Sequence, residues 1–89
     1  MRTDLYLKLM GITKTRMAAK RLCDMGRVSF LEKPAKPSFE LSGGETLEVL
    51  LPQKGLWIKV LEIPMGHSVA KRDRGRYCEL LSSGPPLDP

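Results

Sequence analysis

The sequence predicts a single α+β domain in which two packed helices lie on a small antiparallel sheet. Two observations carry this. Apolar residues recur at helical spacing up to Gly26 and at a period of two after it. At 89 residues the chain has room for one modest core and no deep catalytic cleft.

The first helix is expected over residues 3–12. Leu5, Tyr6, Leu9 and Met10 fall on one side, Asp4 and Lys8 face away, Thr3 is placed to cap the start, and Gly11 ends the helix. A clearer helix is expected over 15–25, with Ala18, Ala19, Leu22 and Met25 as its apolar stripe and Gly26 at its C-terminal cap. The small Ala18 and Ala19 would let another helix approach closely.

Beyond Gly26, Val28-Ser29-Phe30, Phe39-Glu40-Leu41 and Thr46–Leu51 alternate as strands do, the last with Leu47, Val49 and Leu51 on one face. Ser42-Gly43-Gly44-Glu45 and Pro52-Gln53-Lys54-Gly55 are turns, the second leading into Leu56–Leu61, where Trp57 is expected as a core anchor. Residues 64–75 read as a mobile basic loop, 76–81 as a last strand or short helix, and 82–89 as a disordered tail.

Composition excludes more than it assigns. No apolar run approaches the roughly twenty residues of a membrane span. The start, Met1-Arg2-Thr3-Asp4, lacks a signal-peptide core, and two cysteines make no disulfide framework, so a cytoplasmic protein is expected. No nucleotide-binding glycine loop surrounds Gly43-Gly44, and no paired carboxylates point to acid–base catalysis. His67, Cys23 and Cys78 lie in three distant segments without ligand spacing. No enzyme activity, metal or cofactor is expected.

The charge is informative. Residues 1–38 carry nine Lys/Arg against three Asp/Glu, whereas residues 39–64 carry two against four. A basic first half points to a polyanion on one side of the domain. Lys14, Thr15 and Arg16 open the second helix, where unpaired backbone N–H groups, a hydroxyl and two cations together suit a phosphate. Lys20 lies one turn on, and Arg2 joins them if the helices pack side by side. The other reading of these residues is a solvated helix face whose cations pair with Asp24 and neighbouring Glu residues. Lys71, Arg72 and Arg74 lack a rigid frame and are expected to be auxiliary. With five aromatics, mostly at core-facing positions, base stacking is not the expected mode.

Arg2-Thr3-Asp4-Leu5-Tyr6-Leu7, Lys14-Thr15-Arg16, Ala18-Ala19, Leu22, Gly26-Arg27-Val28, Ala35-Lys36-Pro37-Ser38 and Gly44-Glu45 follow one another in the order and spacing of the S4-type RNA-binding domain. The chain resembles that family over residues 2–51. It departs at the hairpin turn, where Leu31-Glu32 replaces the family's Asn-Gly, and at Gly44-Glu45, which replaces Gly-Asp.

The resemblance implies an S4-like αL-type fold with an extra C-terminal strand pair. It divides the chain into an RNA-binding domain over 1–62, a loop and strand completing it over 63–81, and the tail over 82–89. The small stand-alone members that serve ribosome-associated quality control are the most similar in length. They imply binding to rRNA and tRNA on large ribosomal subunits obstructed by peptidyl-tRNA, with an RqcH-like factor adding alanine to the stalled chain, and a monomer when free. By the same resemblance the RNA-facing residues are Arg2, Lys14, Thr15, Arg16, Lys20, Arg27, Lys36 and Ser38. Two alternatives are a heat-shock-type factor recognising free large subunits that carry a stalled chain, and a protein-interaction module whose acidic second half meets a basic partner.

Overall fold

The computed structural model describes residues 1–85. Helix α1 spans Thr3–Leu9 and α2 spans Arg16–Asp24. Five strands follow: β1 Val28–Phe30, β2 Lys33–Pro34, β3 Thr46–Leu50, β4 Gly55–Val60 and β5 Cys78–Gly84, with a 3-10 helix at Lys71–Arg76 before the last. They form an antiparallel sheet in the order β2-β1-β3-β4-β5, so the expected α+β architecture holds.

Burial follows the period of two. Val28, Leu47, Val49, Leu56, Ile58 and Val60 turn inward and meet Tyr6, Leu7, Leu9, Ala19 and Cys23 from the helices. On the other face Ser29, Glu48, Trp57 and Ser82 align across four strands. Trp57 is therefore a half-buried residue of the outer face, not the expected core anchor, because its neighbours Leu56 and Ile58 take the inward positions.

Several local expectations shift. Arg2, not Thr3, is the N-cap of α1, and the Thr3 hydroxyl instead donates to the Phe39 carbonyl at 2.9 Å. The buried stripe of α2 is Ala19 and Cys23 with Leu22 partly covered, while Met25 is exposed past the helix end. Phe39–Leu41 forms no full strand: Glu40 makes a single bridge to Arg2 because this segment is fastened to the start of α1 instead. Residues 71–75 of the segment read as a loop wind, together with Arg76, into the 3-10 helix. Strand β5 runs on to Gly84, so Ser82, Ser83 and Gly84 pair with Trp57, Leu56 and Gly55 and do not begin a disordered tail. Residues 86–89 of that expected tail lie outside the described residues.

The β1–β2 connection is a two-residue turn between the paired Phe30 and Lys33. Leu31 and Glu32 both take positive φ, 53° and 65°, as a primed hairpin turn demands. The hairpin survives the loss of Asn-Gly, at the cost of two side chains held in the left-handed region.

Glu45 closes the turn before β3. Its carboxylate accepts from the Ser42 and Gly43 backbone N–H groups, both at 2.8 Å. Burial acts to raise its pKa, but these bonds outweigh it and hold the carboxyl below its ordinary value. A lowered folded pKa adds stability above the ordinary carboxylate range, lost as pH falls through the folded value. Glu45→Gln is thus expected to cost roughly 1 kcal/mol at pH 7, since the turn faces water, and almost nothing near pH 3. Denaturant unfolding of both proteins at the two pH values checks this; an equal difference at both would remove the carboxylate's role.

Tyr6 joins the two ends of the fold. Its buried hydroxyl donates to the Tyr77 carbonyl at 2.6 Å, and the same carbonyl accepts from the Leu61 N–H at 2.9 Å. Burial above all, then the neighbouring Cys78, raises the phenol's pKa well beyond its usual range, so it stays a donor.

Candidate RNA-binding surface

Asp4 organises the surface, and it is buried where helical periodicity placed it facing solvent. Its carboxylate accepts from the Leu5 N–H at 2.8 Å, answering an unpaired donor of the first helical turn. Arg2 donates to both its oxygens, from Nε at 3.3 Å and Nη2 at 3.2 Å. Arg16, at the start of α2, brings its Nε within 3.4 Å of Oδ1. The carboxylate is 4 % exposed while the two guanidinium side chains are 44 % and 47 % exposed. One buried anion therefore fixes two arginines side by side, each with further N–H groups turned to water.

The sequence missed Asp4 as a functional residue. Its only signal was the Arg-x-Asp opening.

The eight sequence-predicted residues do not converge on one spot. Arg2, Arg16 and Lys20 share a cleft with Asp4 and Met17, and Lys20 also pairs with Asp24 at 3.1 Å, four residues along the helix. Thr15 is the N-cap of α2, its hydroxyl accepting from the Ala18 N–H at 3.0 Å, which leaves the Arg16 and Met17 N–H groups without intrahelical acceptors. Lys36 and Ser38 are exposed on the segment that covers the start of α1, where Asp4 N–H donates to Pro37 and Thr3 N–H to Phe39.

Lys14 and Arg27 stand apart. Lys14 lines a different crevice with Lys8 and Arg74. Arg27 lies beyond the far end of α2, about 13 Å from Arg16 by helical rise, and its guanidinium reaches back to the Leu50 carbonyl at 3.5 Å.

The loop cations also divide. Lys71 and Arg72 are exposed, as expected of auxiliary charges. Arg76 is engaged by Glu62 at 3.0 Å, which raises its pKa, and lies over the Tyr77 ring. Arg74 packs on the backbone of Gly11 and so has the rigid frame that the sequence reading denied it.

Cys23 is buried, and burial first, then the charges of Asp4 and Asp24, push its thiol up to about 11, so it carries no thiolate at neutral pH. Burial likewise raises Cys78. Among the described residues no three His, Cys, Asp or Glu side chains gather as a metal-ligand set.

No protein-family model matches the chain. Curated relatives do. It is 38% identical over 82 residues to the RQC P-site tRNA stabilizing factor of Streptococcus pneumoniae strain ATCC BAA-255 / R6, covering 92% of this chain and 91% of the relative. The chain belongs to the family of RQC P-site tRNA stabilizing factors. The family member of Bacillus subtilis strain 168 is 36% identical over 63 residues, 71% of this chain and 73% of the relative.

Solved structures agree on the fold. The trimeric structure of Vibrio cholerae Heat Shock Protein 15 superposes with a TM-score of 0.82 at 20% identity, covering 92% of this chain and 82% of that one. The solution structure of the hypothetical protein HP1423 gives 0.78 at 28% identity, covering 92% and 98%. The S4-like architecture expected from the sequence is thereby supported.

Proposed function

We propose that this chain binds rRNA and tRNA on large ribosomal subunits obstructed by peptidyl-tRNA. In that role it supports alanine tailing of the stalled chain by an RqcH-like factor, acting in the cytoplasm as an RNA-binding monomer without chemistry of its own. We further propose that residues 1–62 form the RNA-binding unit, completed by 63–81, and that Arg2, Lys14, Thr15, Arg16, Lys20, Arg27, Lys36 and Ser38 face RNA.

The observation that carries this reading is the Arg2–Asp4–Arg16 cluster. Two guanidinium groups held by one buried carboxylate beside the open N-terminus of α2 suit phosphate oxygens, which arginine can grip two at a time. The names of the relatives, which describe stabilization of P-site tRNA, support the ribosomal setting. No helix among the described residues is long and apolar enough to cross a membrane.

Affinity for purified large subunits, measured across a salt series, tests the mechanism. With about five to eight phosphate contacts, the logarithm of the association constant should fall against that of salt concentration with a slope of about −4 to −7. A flat response would remove the electrostatic basis. Co-sedimentation that survives complete RNA digestion would favour a protein-interaction module instead.

A further inference from the structure

A second basic crevice opens at the other end of α1. Lys8, Gly11, Thr13, Lys14, Ser68 and Arg74 line it, and no Asp or Glu does. The contrast with the Asp4 cleft is one of charge balance. There Arg2, Arg16 and Lys20 face two carboxylates, Asp4 and Asp24. Here three cations converge, and among the described residues none of them has a carboxylate within ion-pair distance.

Arg74 is fixed in place. Its guanidinium lies so close to the Gly11 backbone that a Cβ there would come within 2.6 Å of Cζ, and Gly11 also carries a φ of +72°. The Arg74 Nε is enclosed and lacks a hydrogen-bond acceptor among the described residues. The C-terminal end of α1 offsets part of that cost. It also suits Lys8, in the last turn of the helix, but not Lys14 beyond it, and both lysines are exposed on the rim of the same crevice. The Thr13 hydroxyl is spent on the Thr15 carbonyl, whereas the exposed Ser68 hydroxyl is free to meet a ligand. Mutually repelling cations without a protein counter-charge, one of them pre-positioned, make a site completed by an external anion.

We infer that this crevice is a second phosphate site, holding the backbone of the same RNA at a nucleotide separate from the one gripped by Arg2 and Arg16. Seven-residue α1 sets the two clefts about 10 Å apart, one at its start and the other at its end. Loop residues Ser68 and Arg74 thereby become part of the RNA-binding surface. This rests on the RNA-binding reading above, and the experiment keeps the two apart.

Isotope-labelled protein is titrated with an RNA hairpin while the Arg74 Nε–H resonance is followed, and wild type and variants are bound to purified large subunits across a salt series. The Arg74 signal should move saturably. Lys8→Gln/Lys14→Gln should abolish that movement, lower the salt slope by about 1.4–1.8 and leave the melting temperature unchanged. Arg74→Lys, which keeps the charge but loses the fork, should weaken subunit binding about tenfold. Subunit binding and salt slope unchanged in the lysine pair, with a silent Arg74 resonance, would overturn the crevice and leave the first site standing. So would Arg74 variants that melt earlier yet bind as wild type, which would make Arg74 only a support for the end of α1. Wild type that ignores ribosomal subunits while its Arg74 responds to the hairpin would overturn the ribosomal reading and support the crevice.

Discussion

Arg2→Ala and Arg16→Ala are each expected to weaken large-subunit binding by about 1–3 kcal/mol, the scale of a charge-assisted hydrogen bond. Both guanidinium groups are already held by Asp4, so little side-chain freedom is lost when a phosphate arrives. Each is about half exposed, and neither fills the core, so either single variant should stay folded. The double variant should behave differently. It leaves Asp4 buried with its helical N–H bond but without a cation, and its binding and stability losses should not equal the sums of the single ones. Lys71→Ala/Arg72→Ala should cost less than either arginine, because nothing orders those side chains beforehand. Subunit binding by all four variants, with melting curves alongside, decides the matter. If the loop pair loses association while Arg16→Ala keeps it, the Asp4 cleft is not the anchor.

Replacing Leu31-Glu32 with Asn-Gly should stabilise the domain by about 1–3 kcal/mol. Each native residue occupies the left-handed region, where an ordinary side chain costs roughly 1–2 kcal/mol. Asn tolerates that region and Gly adopts it freely, less a few tenths of a kcal/mol to 1 kcal/mol for glycine's greater freedom when unfolded. Leu31 is 75% exposed, so its removal sacrifices little packing. For a domain of this size the melting temperature should rise by roughly 4–24 °C. A midpoint that stays or falls would mean the turn is held by packing of Leu31 and Glu32 and not strained by them.

That turn also marks a limit of sequence reading. The strands were legible because alternation at Leu47 and Val49 records burial directly. The second helix was legible through Thr15 at its start and Gly26, with φ +73°, past its end. Leu31-Glu32 carries no local sign of positive φ; the pairing of Phe30 with Lys33 imposes it. Asp4 was misjudged for a related reason. A helical wheel assigns it to solvent, but the 37–41 segment folds over the start of α1 and two arginines close around it, neither of which periodicity encodes. Arg74 was the least legible. The stretch 71–75 reads as a polar loop, and only the meeting with Gly11, far away in sequence, gives one of its charges a fixed position.

The Tyr77 carbonyl has a consequence for how the molecule opens. Both its acceptor positions are taken, one by Tyr6 from α1 and one by the backbone beyond β4. Peeling β5 from its neighbour at this end would strand a buried phenol hydroxyl, a penalty of about 1–3 kcal/mol added to the lost strand bonds. An outlying strand with so exposed a face would ordinarily fray by itself. Here its first residues leave only at that added cost, so this end of the strand is tied to α1. Amide exchange at Leu61 should therefore be slower than at Ser82 and Ser83, at the untied end of the strand.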